Sequence, residues 1–117
     1  MNIQIFGTKK SQDTRKAERW FKERRIKAQY IDMNEKGLSR GELNSVAQAC
    51  GGLDRLIDEQ CRDQDALALV KYIASSQQTD AVLEHQQVLK LPIVRNGRQA
   101  AVGYCPDIYA RWAAEEK

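Results

Sequence analysis

The residues with chemical potential gather near the front of this 117-residue chain. Lys9-Lys10-Ser11-Gln12-Asp13-Thr14-Arg15 sets a hydroxyl among cations, where a turn-rich stretch hands over to an amphipathic pattern. A side chain at that junction stands at a helix N-terminus, where backbone N–H groups and the helix dipole favour negative charge. A thiol there, beside Lys9, Lys10 and Arg15, would be driven towards thiolate. A serine gains little, because its hydroxyl ionises far higher and thiol–disulfide exchange needs sulfur. Serine nucleophiles also need an adjacent base, and the single histidine, His85, lies far along the chain with no sequence reason to reach Ser11. Ser11 is therefore expected as a helix N-cap or anion-binding hydroxyl rather than as a nucleophile.

The thiols present carry less. Cys50 completes a helical apolar stripe and reads as core. Cys61 sits in Glu59-Gln60-Cys61-Arg62-Asp63, and that polarity predicts an exposed thiol without an activator. Cys105 follows the last expected strand and is the one placed to approach Ser11. Three cysteines so scattered make neither a disulfide framework nor a four-thiolate zinc site, and they suit a reducing, cytoplasmic setting. Asp80, Glu84 and His85 lack a metal-ligand spacing, and no Gly-rich phosphate loop is present. Neither a metal nor a bound cofactor is expected. Nor is a secretory leader or membrane span, because the opening MNIQIFGTKK and the rest of the chain hold no long apolar run.

The elements that must position these residues follow from periodicity. Ile3 and Ile5 alternate with polar neighbours as a strand over 2–6. Ala17, Trp20 and Phe21 then share one helical face from about residue 12 until the pattern fades near Ile26. Residues 28–33 read as a second strand, and strand, helix and strand so close together imply a parallel pair. Ser39 and Glu42 form a capping box, with Leu38 and Leu43 as a hydrophobic staple, and Gly51-Gly52 ends that helix. Residues 64–74 and 79–89 are further helices. Asn96-Gly97 between apolar runs signals a hairpin, and Pro106 opens a closing helix. The expected order is a βαβ unit (1–33), a helical insert (38–89) and a ββα unit (90–117), in one domain. With Pro92 opening the third strand, this is the α/β thioredoxin arrangement.

Charge is uneven along that order. Nineteen Lys and Arg against sixteen Asp and Glu leave +3 overall, but residues 1–30 carry nine cations against three carboxylates, and the remainder ten against thirteen. The front end reads as a solvated helix face or as a positive site for an anion, a thiolate or an acidic partner. Direct nucleic-acid binding is not expected, because the cations spread around a helix that must also pack on a sheet.

The segment Ile5-Phe6-Gly7-Thr8-Lys9-Lys10-Ser11-Gln12-Asp13-Thr14-Arg15-Lys16-Ala17 resembles the opening of the arsenate-reductase-like ArsC/Spx family. Leu91-Pro92-Ile93-Val94 and Val102-Gly103-Tyr104 resemble later family segments in the same order. The resemblance implies a thioredoxin-like fold with a helical insertion and glutathione- or thioredoxin-linked redox chemistry. It implies a nucleophilic Cys at position 11 and, in the two-thiol branch, a second Cys at position 14; the chain carries Ser11 and Thr14. It also implies a cis bond before Pro92, with the Leu91 backbone free to pair with an extended partner segment. Leu91 replaces the arginine that precedes the family's proline. The other oxyanion arginines fall near Asp58 and near Tyr104 or Cys105, so arsenate reduction is not expected. The implied partner is glutathione or a thiol/disulfide protein, on a monomer with no membrane association. The Spx-like alternative is a regulatory protein contacting RNA polymerase. Two origins of Ser11 stay open at this level: a natural relative without exchange chemistry, or a Cys→Ser replacement.

Overall fold

The computed structural model describes residues 1–116. Lys117, the end of the expected closing unit, lies outside the described residues. Alternation builds β1 (Ile3–Gly7), which sends Ile3 and Ile5 into one core and Phe6 into another. It pairs in parallel with β2 (Ala28–Asp32) and antiparallel with β3 (Ile93–Asn96), which pairs with β4 (Gln99–Val102). The sheet order is β2-β1-β3-β4, leaving β2 and β4 as edges.

Between β1 and β2 runs α1 (Gln12–Glu23), whose stripe Ala17, Trp20 and Phe21 is buried. It stops short of Ile26. The Ile26 N–H donates to the Phe21 carbonyl at 2.9 Å and the Arg25 N–H to that of Lys22 at 3.0 Å, with Arg25 at φ 58°. That is a Schellman ending in which arginine occupies the left-handed position glycine usually takes. The usual stop signal is therefore missing from the sequence.

The helix α2 (Arg40–Cys50) carries the expected capping box, with Glu42 N–H to Ser39 Oγ at 3.2 Å and Ser39 N–H to Glu42 Oε1 at 2.9 Å. Such a cap contributes about 1 kcal/mol. Leu38 and Leu43 are both buried in the insert's core, and Gly51 ends the helix at φ 93°. A 3₁₀ turn (Leu53–Leu56), α3 (Gln64–Tyr72), a second turn (Ser75–Gln77), α4 (Gln78–Glu84) and a third turn (Gln86–Val88) complete the insert. The last helix is shorter than its pattern suggests because His85 leaves helical backbone at φ −131°. The Gln86 side chain accepts from the Leu38 N–H and donates to its carbonyl, at 2.8 and 2.9 Å, and so ties the insert to the segment after β2.

In the hairpin, Asn96 pairs with Gln99, so the connection expected over Asn96-Gly97-Arg98 narrows to a loop of Gly97 and Arg98. Only Gly97 has positive φ, 61°, as a type II′ turn requires. The closing helix α5 (Pro106–Glu115) lies with α1 on one face of the sheet, around Trp20, Phe21, Tyr109 and Trp112. The insert covers the other face, around Leu43, Val46, Val70 and Val82. This is a thioredoxin-like fold with a helical insertion. No helix among the described residues is long and apolar enough to cross a membrane.

Candidate site at the start of α1

Ser11 is the N-cap of α1: its backbone is extended and its Oγ accepts from the Thr14 N–H at 3.1 Å. Thr14 is fully buried against Gly7, where an added Cβ would fall 2.3 Å from Thr14 Oγ1. Glycine at position 7 thus lets the first turn of α1 close onto the end of β1. Thr14 Oγ1 has no hydrogen-bond partner among the described residues. The Thr14 side chain is therefore enclosed.

The Leu91–Pro92 bond is cis. The Pro92 carbonyl accepts from the Gly103 N–H at 2.8 Å, and Gly103, at φ 82°, presents its own carbonyl to the Tyr109 hydroxyl at 3.1 Å. The closing unit therefore locks the proline loop to the aromatic core. Across from it, Asp58 N–H bonds the Val88 carbonyl and Lys90 N–H the Leu56 carbonyl, both at 2.8 Å. This short pairing carries the loop at 58–63 to the side of Leu91.

Three chain segments meet there around an open cleft of about 860 Å³, whose walls include Ser11, Lys10, Cys61, Arg62, Lys90 and Leu91. Past Leu91 lies a second hollow of about 430 Å³, with Thr8, Gln87, Leu89 and Leu91 as shared walls and Met33, Asn34 and Gln86 beyond them. Among the described residues, none bonds the Leu91 N–H or carbonyl. A groove with an unpaired backbone group midway suits an extended chain.

Its electrostatics differ from those the local sequence suggests. Lys10, Arg62 and Lys90 stand against Asp13, Asp58 and Asp63, so the walls balance. Lys9 points elsewhere, 4.2 Å over the Tyr30 ring and 3.6 Å from Glu18. Arg15 lines a separate groove. Of the three cations expected around Ser11, only Lys10 lines its cleft. Arg62 and Lys90 arrive through the pairing of 56–58 with 88–90, which no local motif announces.

The thiols are placed differently too. Cys61, expected at the surface, is only 8% exposed and lines the cleft. The turn that bonds its N–H to the Asp58 carbonyl folds it under the polar residues around it. Burial and the Asp58 carboxylate push its thiol up. Cys105 donates to the Val102 carbonyl at 3.3 Å and is not among the cleft's walls. Its thiol is raised by burial, then by Asp107 and Asp13, against a lowering by Lys90. Burial, with a smaller contribution from Cys105, raises Cys50. None of the three is poised as a thiolate. Asp63 is held below the usual carboxylate range by the Ala66 N–H and the Gln87 amide. His85 ends α4 and does not line the cleft. No group of three or more metal-ligating side chains occurs among the described residues.

A four-stranded sheet of this order, with a helix opening on Ser11 in the same cleft as the residue before a cis-proline, defines a protein of the thioredoxin fold. Residues 6–112 match the ArsC family, and the chain belongs to it. The structure is similar to arsenate reductase from Vibrio cholerae, with 22% identity and a TM-score of 0.80 over 95% of this chain and 97% of that one. It is also similar to an ArsC-family-related protein from Bacteroides fragilis, with 16% identity and a TM-score of 0.82 over 95% and 97%. At these identities the likeness establishes the fold. No curated protein matches the sequence.

Proposed function

We propose that the chain uses its thioredoxin-type cleft to hold glutathione or an extended thiol- or disulfide-bearing segment of a protein, without carrying out exchange. The observation behind this reading is the placement of Ser11. It caps α1 in the same cleft as Leu91, beside Lys10, and the family resemblance makes this the position of the attacking sulfur in a redox relative. With sulfur at position 11, the thiolate would attack one sulfur of a disulfide, form a mixed disulfide and release the other sulfur as thiolate. A thiol from glutathione or a second protein would then complete the exchange, since Thr14 offers no local sulfur. With Ser11 the first step has no nucleophile, and binding remains. Arsenate chemistry is not part of the proposal: Leu91, Asp58, Tyr104 and Cys105 bring no guanidinium, and Arg62 alone places one in the cleft.

The experiment is Ser11→Cys, read by the pH dependence of alkylation at that thiol and by exchange with glutathione disulfide. The expected result is a thiol ionising below the ordinary cysteine range of about 8.5, together with mixed-disulfide formation absent from the parent chain. Ordinary ionisation and no exchange would overturn the reading. The polymerase-binding alternative draws on the charge of α1 rather than on this cleft. It is separated by asking whether purified RNA polymerase retains the chain and loses it on Arg15→Glu or Lys16→Glu.

A further inference from the structure

A second groove, of about 520 Å³, lies between α1 and the edge strand β2 and shares no wall residue with the Ser11 cleft. Half-buried Ile26 and Ala28 supply the apolar surface, over the buried Ile5 and Phe21, and Tyr30 adds an aromatic wall. Its cations are Arg15, Arg19 and Lys22, spaced i, i+4 and i+7 along one stripe of α1, with Glu18 the single carboxylate among the walls. Their neighbours are engaged: Lys9 with Glu18 and the Tyr30 ring, Arg24 with the Trp20 carbonyl at 2.9 Å and its ring at 4.0 Å. Among the described residues, Arg15, Arg19 and Lys22 have no ion pair or side-chain hydrogen bond. Three unanswered like charges beside an apolar surface favour a partner of opposite sign.

The second observation is the strand. Among the described residues β2 pairs only with β1, so its outer backbone groups are open to another strand. The dimensions agree. Arg15 to Lys22 rises about 10 Å along a helix, and alternate residues of a strand stand about 7 Å apart on one face. Carboxylates at i and i+2 of an added strand would therefore reach two of the three cations.

We propose that this groove binds an extended acidic segment of a partner protein, which adds to β2 as a fifth strand and sets Asp or Glu side chains against Arg15, Arg19 and Lys22. A nucleic-acid backbone would be drawn by the same cations, but it has no use for an apolar wall or a strand edge. The proposal does not depend on the reading of the Ser11 cleft.

The test uses a fluorescein-labelled synthetic peptide of alternating Glu and Val, titrated with the full chain and followed by polarisation and by amide chemical-shift mapping. Saturable binding is expected, weakening as salt rises, with shifts on β2 and α1. Arg19→Glu with Lys22→Glu should weaken it about tenfold or more at unchanged melting temperature, since both positions are exposed. A backbone N-methylated version, unable to pair as a strand, should also bind more weakly. No binding, equal affinity for the charge-reversed chain, or shifts confined to the Ser11 cleft would overturn the proposal. So would tighter binding of a single-stranded oligonucleotide at the same residues, or equal affinity for the N-methylated peptide.

Discussion

The cleft at the start of α1 and the groove along its flank draw on the same nine-cation front end, yet only the groove keeps an excess of positive charge. The groove's cations come from one helix, so their alignment follows from 3.6-residue periodicity. The cleft is assembled from segments around residues 10, 60 and 90, and these bring as many carboxylates as cations. Its character therefore rests on backbone groups: the capped N-terminus of α1, the unpaired Leu91 and the loop held by Gly103. A dense run of cations in sequence need not mark the most positive site in space. Here it marks the flank of the helix rather than its tip.

The comparison can be broken first at the thiols. If backbone and helix terminus set the reactivity of position 11, Ser11→Cys should alkylate about a hundredfold faster at pH 7 than Cys50, Cys61 or Cys105. Those three should accelerate only above the ordinary cysteine range, because burial raises them. A time course by mass spectrometry in which Cys61 kept pace with the new thiol would show that the cleft itself is activating.

Next is the dependence of the cleft on a close approach. Gly7→Ala drives a methyl into Thr14 and should cost about 2 kcal/mol in denaturant unfolding. Adding Thr14→Ala should return part of that loss. Independent, additive effects would deny that Gly7 exists to admit the first turn of α1.

At the other end of α1, Arg25→Gly should stabilise by about 1 kcal/mol, read as a rise in melting temperature, because glycine accepts positive φ without the Cβ penalty. Binding of the acidic peptide should not change, since Arg25 is not a wall of the groove.

The smallest effect concerns the cleft's carboxylates. Asp63 is lowered in the folded chain, so its contribution to stability is complete above the ordinary carboxylate value and is lost as pH falls through its depressed folded value. Asp63→Asn should flatten the acid limb of melting temperature against pH. An unchanged limb would mean that the bonds from Ala66 and Gln87 contribute nothing there.

Features written into short stretches of sequence survive in the structure. Ser39 and Glu42 cap α2, Ser11 caps α1, and alternation sets β1, because each bond or face involves residues a few positions apart. The exceptions are local too. Arg25 takes a glycine's conformation and hides the end of α1, and the hairpin connection narrows to Gly97 and Arg98.

The walls of the cleft follow another logic. The polarity around Cys61 suggests exposure, but pairing of 56–58 with 88–90 folds the thiol inward and brings Arg62 and Lys90 beside Ser11. Lys9 sits two residues from Ser11 and is taken instead by Tyr30 and Glu18. By itself the sequence determined the thioredoxin order, the cap at position 11 and a hydroxyl rather than a thiol there, since these depend on local geometry and side-chain chemistry. Only the tertiary structure decided which charges surround that cap, because burial and Coulomb interactions act through space between residues that the chain keeps far apart.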